Sequence, residues 1–297
     1  MSDLSADNPD RPGDDDHAAH DIRVGGDLRI SRDLNVSGDV VGHDKVVHGY
    51  SAEQVQRLIA DLAVQYQPRP FDGRCPYPGL ESFRESEADL FFGREPLVAE
   101  LVQRVRSSSA LVITGPSGNG KSSLVHAGLL PALKAADARN SGRFASITPG
   151  REPLQALGRA LAGLTGSLEA EDDFGRHALS DETRLARWLK ITQAVYRGQQ
   201  IVLVVDQFEE VYAQATTEAK RRAFIAQLST AAEQAAPFFR LILVLRSDFI
   251  GACARYPQLN SLLGANLIQI GELGPGDLLR AVSVPALRVG LRLDPEL

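Results

Sequence analysis

The chain has 297 residues, 43% of them hydrophobic and 24% charged, with a formal net charge of −6 and two cysteines. That length admits one large α/β domain with appendages, or two domains, and the composition is ordinary for a water-exposed globular protein. It excludes a disulfide framework or cysteine metal site, because Cys75 and Cys253 lie far apart, and it contains no apolar run near the roughly 20 residues that span a bilayer.

The charge is concentrated at the start. The first twenty residues carry six Asp against one Arg, and residues 1–21 are expected to form a disordered acidic tail. An acidic interaction tail and a solubilising start both fit it, and the second is preferred. The remainder is near neutral, so bulk charge gives no sign of nucleic-acid binding. An acidic N-terminus is not a secretory signal, and a cytoplasmic location is expected.

Residues 22–50 contain a short repeat, with Asp27, Asp33, Asp39 and Asp44 near a spacing of about six and mostly followed by apolar residues. A small β-solenoid that needs further copies of itself for stability fits this pattern, and so does an irregular strand-rich linker. Ser51 with Gln54 forms a capping box for an amphipathic helix over 51–66, whose apolar positions are Val55, Leu58, Ile59, Leu62 and Tyr66. Residues 67–78 are proline-punctuated and read as a linker.

From there to residue 272 the pattern alternates strand and helix. Strands are expected at Leu111–Thr114, Phe144–Ile147, Ile201–Val205, Leu241–Leu245 and Leu267–Ile270. Helices are expected at Ser122–Leu133, Pro153–Leu164, Asp181–Tyr196 and about 217–235, with residues 166–180 polar and irregular. Ile201–Val205 is apolar without alternation, which implies burial on both faces. The fold class is therefore α/β, a five-stranded parallel sheet covered by helices, with residues 273–297 starting a helical region.

Gly115-Pro116-Ser117-Gly118-Asn119-Gly120-Lys121-Ser122 matches the P-loop pattern throughout. The glycines let backbone N–H groups turn around phosphate oxygens at the positive end of a helix. Lys121 supplies a mobile charge for the β- and γ-phosphates, and the Ser122 hydroxyl suits Mg2+. With Ser123 these residues form the candidate ATP/ADP site. Asp206 ends the apolar run 84 residues beyond Ser122, where a carboxylate can hold Mg2+ with Ser122. A strand near residues 144–148 is expected to separate the loop strand from the Asp strand. That suggests the P-loop division in which a glutamate polarises the attacking water. Gln207 directly follows Asp206, so Glu209 and Glu210 are the candidates and Glu210 is favoured; alternatively both only cap the next helix. Arg246, at the end of a further strand, suits a sensor of the γ-phosphate, or pairs with a surface carboxylate. The absence of an Asn-Lys-x-Asp sequence favours adenine over guanine.

Together these residues resemble the bacterial novel STAND NTPases, signal-transduction ATPases related to NLR-type immune and apoptotic switches. The resemblance runs through CPYPGLESF, DLFFGRE and LVITGPSGNGKSSLVHAGLLPAL within 75–133, DQFEE at 206–210, LRSDF at 245–249 and LRAVSVPALRVG at 279–290. It implies that Gly93 and Arg94, in Phe92-Gly93-Arg94-Glu95, pack beside adenine and ribose, whereas the residues alone show only a turn into a helix. It also implies a role for Pro285 in a helical domain. Two departures stand out. The segment 134–150 is short for the family, and members usually continue past this point into winged-helix and sensor-repeat regions, so the chain reads as truncated or as a fragment.

The leading expectation is a slowly hydrolysing switch for signal transduction, in defence or regulated cell death, that exchanges ADP for ATP and self-associates. Its expected partners are nucleotide, further copies of itself and an unidentified signalling protein. A non-hydrolysing structural nucleotide binder is the alternative. A small-molecule kinase is a third reading, with Arg176, Arg184 and Arg187 as its only lid arginines.

Overall fold

The computed structural model describes residues 51–66, 69–136, 142–196, 199–214 and 217–291. All of them belong to the second of two compact units, Asp44–Leu297. The expected acidic tail and six-residue repeat lie outside the described residues.

Helix α1, Ala52–Gln65, starts at the expected capping box. The Gln54 amide donates to Ser51 Oγ at 3.3 Å, and the Ser51 amide donates to Gln54 Oε1 at 2.9 Å. The proline-rich stretch then leads through a 3-10 turn at Glu85–Leu90 into α2, Glu95–Ser107, with Pro96 in its first turn, where a missing N–H costs nothing. Strand β1, Ala110–Gly115, precedes the glycine-rich loop and α3, Lys121–Ser123. The helix continues through a widened π-helical stretch, Leu124–Leu129, into α4, Leu130–Ala136. It therefore starts one residue before, and runs three beyond, the expected Ser122–Leu133.

Strand β2 is Arg143–Ile147, and α5 is Pro153–Thr165. The next segment differs from expectation. Residues 166–180, read as irregular, contain helix α6, Leu168–His177. Ala170, Phe174 and Ala178 recur four apart and are all buried, Phe174 completely. One narrow apolar stripe suffices for a helix whose other faces are polar, and the acidic residues around it obscure the period.

Helix α7, Arg184–Val195, is followed by β3, Ile201–Val205, then the short α8, Glu210–Ala213, and α9, Glu218–Gln234. Strand β4, Phe239–Arg246, leads through a 3-10 turn into α10, Ile250–Cys253, and α11, Pro257–Asn266. Strand β5, Leu267–Gln269, and helix α12, Pro275–Arg288, complete the order.

The five strands form one parallel sheet in the order β2-β3-β4-β1-β5. Successive side chains of the central strands enter opposite layers. Leu203, Leu241 and Leu243 face a core shared with Phe174, Leu189 and Phe224, whereas Ile113, Val204 and Ile242 face Leu101, Val125 and Leu129. Burial on both faces explains the unbroken apolar runs of β1, β3 and β4. In space β4 separates the loop strand from the Asp strand, and β2 lies at the sheet edge. The segment near 144–148 therefore intervenes in the chain but not in the sheet. Among the described residues, no helix is long and apolar enough to cross a membrane.

Candidate functional site

The site sits outside the carboxyl ends of β1, β3 and β4, where open parallel sheets place their ligand crevices. At the end of β1, Gly118 has φ of +85° and Gly120, at the N-cap of α3, has φ of +72°. A Cβ at either would meet nothing within 4 Å. Glycine is therefore required there for the left-handed backbone, not for room. Lys121 is only 9% exposed, and its ammonium donates to the carbonyls of Gly115 at 3.0 Å and Pro116 at 2.7 Å. Burial lowers its pKa, against the opposing charge of Glu209.

Asp206 follows β3 with its side chain 8% exposed. Its Oδ1 accepts from the Ser122 hydroxyl at 3.1 Å and from the Gln207 amide at 2.9 Å, while Oδ2 lies 3.2 Å from His126 Nε2. Gln207 adopts φ of +52°, uncommon for a residue with a side chain. Backbone bonds hold this turn from both sides, with the Asp206 amide donating to Ile147 and the Phe208 amide to Val244. The chain then presents Glu209 and Glu210 to different partners. Glu209 lines the cleft and accepts from the Arg246 amide at 3.2 Å, whereas Glu210 accepts from the Gly150 amide at 3.1 Å. That placement does not support the preference for Glu210.

Arg246 ends β4 and lines the same cleft. Its guanidinium binds Asp248 through two contacts, 3.1 and 2.7 Å, and lies 5.6 Å from the centre of the Phe249 ring. The pairing with a surface carboxylate considered from sequence is thus present, with Asp248 as the partner. The cleft, about 950 Å³, brings together Ser117, Gly118, Gly120, Lys121, Ser122, Ser123, Asp206, Glu209 and Arg246.

A second cavity of about 810 Å³ adjoins the first and shares Phe83, Gly118, Gly120 and Ser123 with it. It contains Asn119, Arg94 and apolar groups including Phe92, Pro275 and Leu278. Arg94 donates to the Gly271 carbonyl at 2.8 Å and Asn119 to the Ile270 carbonyl at 3.4 Å. Gly93 has φ of +87°, and a Cβ there would overlap the Asp277 carbonyl oxygen, so the Phe92–Glu95 turn touches the backbone of α12. Glu95 ties the two together, accepting from the Gly93 amide at 3.1 Å and from Arg280 at 2.9 Å.

Two parts of the site were missed from sequence. Residues Tyr77–Arg84 form one wall of the phosphate-side cleft, anchored where the Phe83 amide donates to Ser123 Oγ at 3.1 Å. Only Tyr77 and Pro78 of this wall fall in the proline-punctuated linker; Gly79–Phe83 lie in the CPYPGLESF stretch that carries the resemblance, which was a usable signal. His126 was also missed, although it stands four residues after Ser122 and hence on the same helix face, which was a usable signal. Arg176, Arg184 and Arg187 instead bond to groups on their own segment: Arg176 to the Asp172 carbonyl, Arg184 to Asp173 and Asp181, and Arg187 to Asp181.

A family model described as Novel STAND NTPase 1 matches residues 76–297. A chain in the solved structure of Drosophila ORC bound to DNA aligns at 15% identity and a TM-score of 0.38, over 88% of this chain and 63% of that one. The present chain thus spans less than two thirds of that neighbour. No curated protein matches the sequence.

Proposed function

The chain belongs to the novel STAND NTPase 1 family, and from that premise we propose that it is an ATP-operated, slowly hydrolysing switch. The observation that carries this reading is the convergence of Lys121, Ser122, Asp206, Glu209 and Arg246 from three strand ends on one cleft. Lys121 places its charge on the β- and γ-phosphates, and the backbone N–H groups of Ser117–Ser123 surround them. The base lies in the adjoining cavity beside Phe92 and Arg94. The oxygens suit Mg2+. Ser122 Oγ and Asp206 Oδ1 are 3.1 Å apart, against about 3.0 Å for neighbouring ligands of an octahedral ion with bonds of about 2.1 Å. When bound, Mg2+ supplies neutralisation of charge developing on the phosphates.

Glu209 orients and polarises the attacking water, because its carboxylate shares the cleft with Lys121. Arg246 reads the γ-phosphate by exchanging Asp248 for it. Such an exchange can bias two conformations only because one state has the partner and the other does not. The switch self-associates in the ATP state and transmits a signal, in defence or regulated cell death. We divide it into an acidic tail over 1–21, a repeat segment over 22–50 that serves as effector or oligomerisation segment, the helix over 51–66, a linker over 67–78, the nucleotide core 79–272 and the start of a helical domain over 273–297. Mass measured in ATP and in ADP tests the switch; a monomer in both would overturn self-association.

A non-hydrolysing structural module is the second reading. Gln207 follows Asp206, and Glu209 is engaged by the Arg246 amide. Turnover by the wild type that is lost in Glu209→Gln excludes it. The kinase reading has lost its lid, since its three arginines bond within their own segment.

A further inference from the structure

We infer that His126 is a positioning residue for the metal–nucleotide site, holding the Asp206 carboxylate so that Oδ1 stays beside Ser122 Oγ. This rests on the reading of Ser122 and Asp206 as the Mg2+ ligands.

The contact is specific in its chemistry. A carboxylate beside an imidazole nitrogen can only accept, so Nε2 carries the proton and donates to Oδ2 across 3.2 Å. Oδ1 is separately occupied by the Ser122 hydroxyl and the Gln207 amide. Among the described residues, His126 is the single donor to Oδ2. Without it, one oxygen of the carboxylate is free, and the group can turn about its broad terminal torsion, carrying Oδ1 away from Ser122.

Placement supports the same role. Ser122 and His126 are four residues apart, so the metal-side hydroxyl and the imidazole rise from one face of the P-loop helix and grip the two oxygens of one side chain. His126 lies in the π-helical stretch Leu124–Leu129, and departures of this kind from α-helical winding cluster at functional sites. Its side chain is 24% exposed and that of Asp206 8%, so water competes weakly for the bond. Donors that orient metal-binding groups typically contribute 10- to 100-fold to metal affinity.

The test is equilibrium binding of N-methylanthraniloyl-ADP to the full chain, in excess Mg2+ and in EDTA, with thermal melting in EDTA without nucleotide. In EDTA, wild type, His126→Ala and His126→Gln should bind alike. In Mg2+, His126→Ala should bind about 10-fold more weakly and need about 10-fold more Mg2+ for half-saturation. His126→Gln, whose amide N–H reaches to where Nε2–H lies, should recover most of the loss. Equal binding of wild type and His126→Ala in Mg2+ would overturn the proposal, as would equal weakening in Mg2+ and EDTA, the mark of a merely structural role. Should His126→Ala fail to fold, His126→Gln against His126→Leu makes the same comparison. Wild-type binding indifferent to EDTA would instead overturn the metal-ligand reading itself, and this proposal with it.

Discussion

Glu209 and Glu210 are neighbours in sequence, yet one faces the cleft and the other the Gly150 amide. Glu209→Gln should therefore lower ATP turnover about 100-fold or more while nucleotide binding persists, the range expected for loss of a general base. Glu210→Gln removes only a loop contact and should cost no more than a few-fold in a steady-state phosphate-release assay. Lys121→Ala should abolish binding under every reading, and so tests the site and not its role. Gly93→Ala combines a left-handed φ with overlap against the Asp277 carbonyl. It should cost roughly 1–3 kcal/mol in urea unfolding, with release of α12 from the Phe92–Glu95 turn as the structural consequence.

At the scale of elements, α6 looks polar but fills the core through Phe174. Phe174→Ala should destabilise the fold by about 3–5 kcal/mol, read as a drop in the urea midpoint; an unchanged midpoint would show that α6 is not integral to that layer. In the same layer, α8 and α10 meet in an aromatic cluster where the Tyr212 hydroxyl lies 3.6 Å from Cys253 Sγ. Burial raises the pKa of both groups, from ordinary values of 10.0 for Tyr212 and 9.0 for Cys253. The folded chain therefore keeps protons that the unfolded chain releases. This stabilisation is complete below about pH 9 and is lost as pH rises further. The urea midpoint should fall between pH 9 and 11, and less steeply in a Cys253→Ala/Tyr212→Phe double variant; parallel profiles would refute this origin. Tyr66, just beyond α1, packs edge-on against Phe92 with ring centres 6.3 Å apart, and Arg288 lies 5.5 Å from the Tyr66 ring centre. The N-terminal helix thus touches a side chain that lines the second cavity.

For the whole molecule, the proposed switch predicts that removal of residues 1–50 leaves ADP affinity unchanged, because both cavities are built from residues 77–281, and abolishes the larger species formed in ATP. Retention of that species would place self-association in the core instead. The P-loop, the Asp206 strand and the parallel sheet were legible in the sequence because their signals are local. Backbone turning at glycines, charge beside a helix start and unbroken apolar runs each show within about ten residues. What only the tertiary structure decided depends on groups distant in the chain. The sequence alone does not reveal that β4 inserts between β1 and β3, that Glu209 and not Glu210 faces Lys121, that the Tyr77–Arg84 segment walls the cleft, or that His126 reaches across 80 residues to Asp206. The physical reason is that strand order and side-chain direction are settled by packing on both faces of the sheet, and local periodicity carries no record of which strand lies beside which.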